Sequence, residues 1–181
     1  MDESTPNEIT RVFEGVKFAV DRVAYTGREG QTLRREKVTH PGAVLVLPIM
    51  ADGRIVMIRN YRFAVGQWLW ELCAGTLEPG EAPINCAGRE LIEETGYEAG
   101  QIEPLCTFYT SPGFADEKMH AFVARDLKHV GQRLEATEQI EVEPTGLDRV
   151  LSMIAAGEIV DGKTIAALLH YHAITMKEAN G

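Results

Sequence analysis

Apolar residues arrive in two rhythms along this chain, short strand-like runs first and helical spacing later. Residues 16–24 and 33–39 read as strands separated by the turn Thr26-Gly27-Arg28-Glu29-Gly30. Residues 43–50 are almost continuously apolar, which predicts a strand buried on both faces. Asp52-Gly53 is a hairpin signal, so 55–62 is expected to pair back on that strand. A shorter strand over 68–73 runs into a glycine loop. Further strands are expected over 102–110, 120–124 and 138–144, with helices over 147–156, ended by Gly157, and over 163–178. Residues 1–12 are expected to fray. Strands and helices interleave without regular β-α-β units, which predicts an α/β fold with a mixed sheet flanked by helices.

The helical rhythm is clearest after the loop GTLEPGEAP. Pro79-Gly80 marks a turn, and Pro83 suits a first helical turn, where the missing N–H has no partner to lose. Ile84, Ala87 and Leu91 then recur at helical spacing as an apolar underside, and Gly96 provides the stop. Glu90, Glu93 and Glu94 stand at i, i+3 and i+4, so a regular helix presents all three from one face. Such carboxylates repel one another, and their proton affinities are expected to rise. A hard divalent cation relieves that repulsion, since Mg²⁺, Mn²⁺ and Ca²⁺ prefer oxygen ligands. The segment is a candidate metal site.

Composition narrows the alternatives. At 181 residues, 45% hydrophobic and 25% charged, the sequence is that of an ordinary globular domain. A net charge of −9 argues against a nucleic-acid polymer as partner. It leaves room for a small phosphorylated substrate, because bound metals and local arginines set the field at a site. No apolar run has membrane-spanning length and MDESTPNE lacks a signal-peptide pattern, so a cytoplasmic location is expected. Cys73, Cys86 and Cys106 sit in apolar surroundings and are expected to be structural thiols.

The segment from Gly75 to Tyr97 resembles the signature of the Nudix hydrolases. Gly75, Glu81, Arg89, Glu90, Leu91, Glu93, Glu94 and Gly96 all fall at the required spacing, and Tyr97 stands where an aliphatic residue is usual. The resemblance implies an α/β/α sandwich that hydrolyses a nucleoside diphosphate joined to another group. It implies Mg²⁺, with Mn²⁺ as a substitute, held by Glu90, Glu93, Glu94 and the carbonyl of Ala74. Arg89 would orient the glutamates, and Glu81 would be a secondary carboxylate ordering the loop. The catalytic set it implies is Glu93, Arg89 and a base from a later loop. Glu135, Glu138 and Glu141 are the candidates there, and Glu138 matches the position best.

Pro112 follows Tyr97 by fifteen residues within SPGF-x-DE, a placement that resembles ADP-ribose and ADP-sugar pyrophosphatases. IRNYR at 58–62 and RREKVTHPGAV at 34–44 extend the resemblance over most of the chain. It implies a nucleoside diphosphate sugar as substrate, with ADP-ribose giving AMP and ribose 5-phosphate. ADP-glucose, GDP-mannose or an oxidised nucleotide is the alternative, followed by a nucleotide-binding regulator without catalysis. Arg62 is the expected phosphate contact, because a guanidinium fork matches phosphate oxygens. Arg34, Glu36, Pro112 and Gly113 complete the implied substrate contacts, and Trp68 or Trp70 could stack on a base. The family precedent also implies a homodimer, with 1–40 as N-terminal dimerisation strands and 41–181 as the hydrolase domain.

Overall fold

The computed structural model describes residues 7–136 and 138–179, which form two compact units. The first joins the N-terminal segment through Gly42 with Tyr109–Lys118, and the second takes the rest.

In the first unit, β1 (Glu8–Glu14), β2 (Ala19–Thr26) and β3 (Thr32–Thr39) form an antiparallel sheet in that order. β1 replaces the expected frayed end over residues 8–12, while residues 1–6 lie outside the described ones. Its seven residues are all exposed, and a bulge between Arg11 and Phe13 breaks the period-two pattern by which a strand is recognised. The other edge of β3 is met by the Tyr109–Lys118 segment: Val38 N–H donates to the Phe114 carbonyl (2.8 Å) and Asp116 N–H donates to the Val38 carbonyl (3.1 Å).

The second unit carries β4 (Ala43–Pro48), β5 (Ile55–Arg62), β6 (Gln67–Glu71), β7 (Cys73–Thr76), α1 (Pro83–Glu90), a π-helical turn (Leu91–Thr95), β8 (Tyr97–Tyr109), β9 (Lys118–His129), β10 (Ile140–Thr145), α2 (Leu147–Ala155) and α3 (Gly162–Ala179). Its central sheet is mixed, ordered β7-β4-β9-β8, with β4 antiparallel to β7 and parallel to β9. All six residues of β4 are buried, as the apolar run predicts. Alternation sorts them between two cores. Ala43, Leu45 and Leu47 face Val150, Met153, Ala167 and Leu168 of α2 and α3, whereas Val44 and Val46 face Cys86, Ala87 and Leu91 around α1. The unit is therefore an α/β/α sandwich.

Two pairings differ from expectation. The Asp52-Gly53 turn forms, with Gly53 at φ 83° and Met50 N–H bonded to Arg54 (2.8 Å), yet only Ile49 bridges Ile55 across it. Both edges of β4 are already taken by β7 and β9, so β5 joins a separate antiparallel sheet, β10-β5-β6. The single strand expected over 68–73 is two, β6 and β7. Their break is Leu72, whose N–H leaves the ladder for Thr164 Oγ1 at 2.9 Å.

Candidate active site

The loop before α1 starts from backbone paired into the central sheet. Ala74 and Gly75 pair with Leu45 and Val44 of the buried central strand. Ala74 N–H donates to Glu94 Oε2 at 2.9 Å. A Cβ on Gly75 would stand 1.8 Å from Glu90 Cδ and 1.9 Å from its Oε1. Glu90's carboxyl group thus occupies the space of the missing side chain, which explains why the segment opens on glycine.

Arg89 gathers the acids. Its Nε and Nη2 donate to Glu81 Oε1 and Oε2, both at 3.0 Å, while Nη1 donates to Glu90 Oε1 at 2.8 Å and Glu93 Oε2 at 3.0 Å. The guanidinium holds Glu81 far below the usual carboxylate range, at about 2. Leu91, Cys86 and Ala87 supply the buried underside of α1, but Ile84 is 45% exposed and contributes nothing to it. Past Glu90 the helix widens into the π turn, which carries Glu93 and Glu94 on looser spacing than a regular α-helix. Gly96 closes it in the left-handed region at φ 74°, its N–H bonded to Ile92 at 2.9 Å.

The three glutamates sit in unlike surroundings. Glu94 is 3% exposed, and burial pushes its carboxyl up to about 8, with the charges of Glu90 and Glu138 adding to the rise. Burial also raises Glu90, against the pull of Arg89. Glu93 is partly exposed. The charge of Glu138 acts on both Glu90 and Glu94, and its Oε2 accepts the N–H of Glu135 at 2.8 Å. Glu141 instead pairs with Arg59 on the neighbouring strand at 3.7 Å, and Glu135 is exposed.

Among the described residues, no three Asp, Glu, His or Cys side chains already surround one point as the ligands of an ion do. Convergence from one regular helical face is therefore not preassembled. The π turn offsets Glu93 and Glu94, Arg89 takes an oxygen each from Glu90 and Glu93, and Ala74 N–H takes one from Glu94. In chemical type the group still fits a hard cation, being carboxylates beside a backbone carbonyl at Ala74. Among the described residues the buried Glu94 carboxyl forms no ion pair, and the nearby Arg62 charge offsets its burial only in part, which is a deficit such a cation would fill.

The remaining expected residues divide between the units. Arg62 spends Nε and Nη2 on the fully buried Glu71, at 2.7 and 2.5 Å. Trp68 and Trp70 lie under the Arg59 guanidinium, 5.8 and 5.4 Å from it. In the first unit, Glu36, Pro112 and Gly113 line one cavity of about 610 Å³ with Tyr25, Tyr109 and Phe114. Arg34 lines a different recess with Glu8, Thr10 and Arg22, and Arg22 pairs with Glu36 at 3.4 Å. Glu117 secures the proline loop by accepting from Thr110 Oγ1 at 2.5 Å. All three cysteines are free, and burial raises the Cys86 thiol to about 12, so it is inert. Glu71 and Lys163 were not anticipated from the sequence. The signal available for Glu71 was a lone acid inside the apolar run WLWELCA.

The chain matches the NUDIX domain over residues 39–168. It is 40% identical over 152 residues to an ADP-ribose pyrophosphatase of Bacillus subtilis (strain 168), spanning 83% of this chain and 80% of the relative. A methanol dehydrogenase activator of Bacillus methanolicus is 44% identical over 162 residues, 87% of this chain and 86% of its own. A GDP-mannose pyrophosphatase of Citrobacter koseri is 35% identical over 175 residues, covering 88% and 90%. Among solved structures, an ADP compounds hydrolase superposes with a TM-score of 0.86 over 98% of this chain and 97% of that one, a likeness of fold at 22% identity.

Proposed function

This chain belongs to the Nudix family and is a Nudix hydrolase, and from that premise we propose that it cleaves the diphosphate bridge of ADP-ribose to give AMP and ribose 5-phosphate. The observation that carries the reading is the knot at Arg89. One guanidinium ties Glu81, Glu90 and Glu93 together beside a buried Glu94, an investment of charge that a surface helix has no use for.

Glu90, Glu93, Glu94 and the Ala74 carbonyl would hold a divalent cation, Mg²⁺ with Mn²⁺ as a substitute. Such a cation, when bound, supplies Lewis acidity and offsets the charge that develops on the diphosphate. Arg89 keeps the glutamates from turning to solvent, and Glu93, the more exposed of them, completes the catalytic set. Glu138 accepts the proton of the attacking water, or adds a further ligand; its charge already acts on Glu90 and Glu94. Water adds to one phosphorus, giving up a proton, and the bond from that phosphorus to the bridging oxygen breaks, so that oxygen leaves on the other phosphate. Arg62 meets a phosphate oxygen with the nitrogen that Glu71 does not use. Arg34, Glu36, Pro112 and Gly113 are the proposed contacts to the rest of the nucleotide sugar.

The relative that acts on GDP-mannose favours one second reading, hydrolysis of another nucleotide sugar. Purified protein with Mg²⁺, assayed against ADP-ribose, ADP-glucose and GDP-mannose, separates the two. The highest kcat/KM is expected for ADP-ribose, and inactivity on all three overturns the proposal. The chain is further proposed to act in the cytoplasm as a homodimer joined through residues 1–40, where Ile9, Val12, Phe13 and Phe18 are exposed. Light scattering should then give twice the 20.0 kDa mass of one chain.

A further inference from the structure

Glu71, at the end of β6, is wholly without solvent contact. A carboxylate in that position needs cations of its own. Arg62 supplies one through its fork, and Lys163 supplies the other, with Nζ 2.6 Å from Glu71 Oε2. Lys163 also reaches Asp161 Oδ1 at 2.9 Å, while Asp161 Oδ2 caps α3 by accepting the N–H of Thr164 at 3.0 Å. Thr164 Oγ1 in turn accepts the Leu72 N–H. Two consecutive residues at the start of α3 thereby clamp two consecutive residues of the β6–β7 junction. That junction leads directly to Ala74 and Gly75, on which Glu94 and Glu90 rest.

Arg62 is the outer end of this chain of alternating charges. It lies in the field of Glu94, its side chain is 39% exposed, and its Nη1 makes no hydrogen bond to any described residue. With Arg62 as its only partner, Glu71 would cancel the guanidinium charge. Shared with Lys163, it fixes the guanidinium plane and leaves part of that charge for an anion. Asp161 compensates Lys163 only in part, since one of its oxygens serves the helix end.

We propose that Lys163 is a positioning residue for diphosphate hydrolysis, acting through Glu71 on Arg62. The inference rests on the reading of Arg62 as a phosphate contact. A double-mutant cycle on the full chain tests it. Lys163→Met is expected to raise KM for ADP-ribose about tenfold, the scale of one weakened bond to a charged group, with kcat changed less. Lys163→Arg should recover most of the loss. The background for the cycle is Arg62→Ala with Glu71→Gln, since a buried Glu71 stripped of both cations would be strongly destabilising. There Lys163→Met should add nothing further to KM, because the residues through which it acts are gone. If it instead raises KM by its full wild-type factor, Lys163 is only a structural fastener and the proposal falls. Lys163→Gln, which keeps an N–H for Glu71 without the charge, carries the same cycle should the methionine variant unfold. A wild-type chain inert on ADP-ribose would sink the functional reading alone. The cycle is then read on the dissociation constant for ADP, a diphosphate probe, with the same two outcomes.

Discussion

A side chain at position 75 and the carboxyl group of Glu90 cannot share one space, which makes Gly75→Ala a sharp probe of the site. The clash is with a side-chain end rather than with backbone, so the fold should survive while Glu90 is driven off its place. We expect kcat to fall by ~10²-fold, the scale of losing an essential catalytic group, with a thermal melt close to wild type. A variant of normal activity would show that Glu90's placement is irrelevant to the chemistry. Gly75 and the four glutamates were legible in the sequence because their spacing is a pattern. Arg62's commitment to Glu71 was not. A strand signal says which face a residue takes, not which distant carboxylate will claim it, and Lys163 reaches that carboxylate from α3.

Elements were legible where one period governed them and illegible where two interactions competed. β4 and β5 follow their apolar runs, and the ends of α2 and α3 fall close to their sequence signals. β1 was hidden by its bulge, and the β6–β7 break is made by a hydroxyl from another element. The π turn was equally invisible, since Leu91–Thr95 carries no residue that forbids an α-helix. What holds this turn is its two ends. Leu91, fully buried, anchors one, and Leu91→Ala should cost about 2–5 kcal/mol in chemical denaturation. At the other end a Cβ on Gly96 would stand 2.7 Å from Gln132 N, in a left-handed conformation. Gly96→Ala should therefore cost at least the ~1–2 kcal/mol of that backbone region, and an unchanged denaturation midpoint would contradict this account of the helix end.

At the scale of the molecule, the buried carboxyl of Glu94 makes stability depend on pH. Its folded value, about 8, lies above the ordinary 4.5, so the folded state favours the protonated form. The stability it contributes is complete below pH 4.5 and is lost as pH rises towards about 8. Glu81 works in a separate window: held near 2 by Arg89, its contribution is present above 4.5 and lost as pH falls through about 2. In metal-free protein, melting temperature should decline from about pH 5 to about pH 8, and Glu94→Gln should flatten that decline. A divalent cation favours the charged carboxylate, so Mg²⁺ should raise the melting temperature more at the alkaline end of this window than at the acid end. No helix among the described residues is long and apolar enough to cross a membrane. The most direct test of the whole account is the rate of ADP-ribose hydrolysis with Mg²⁺ by wild-type protein and by Glu94→Gln. AMP and ribose 5-phosphate should appear with the wild type, and the variant should be slower by at least ~10²-fold while remaining folded. Equal rates in the two proteins would place the chemistry somewhere other than on this acidic helix.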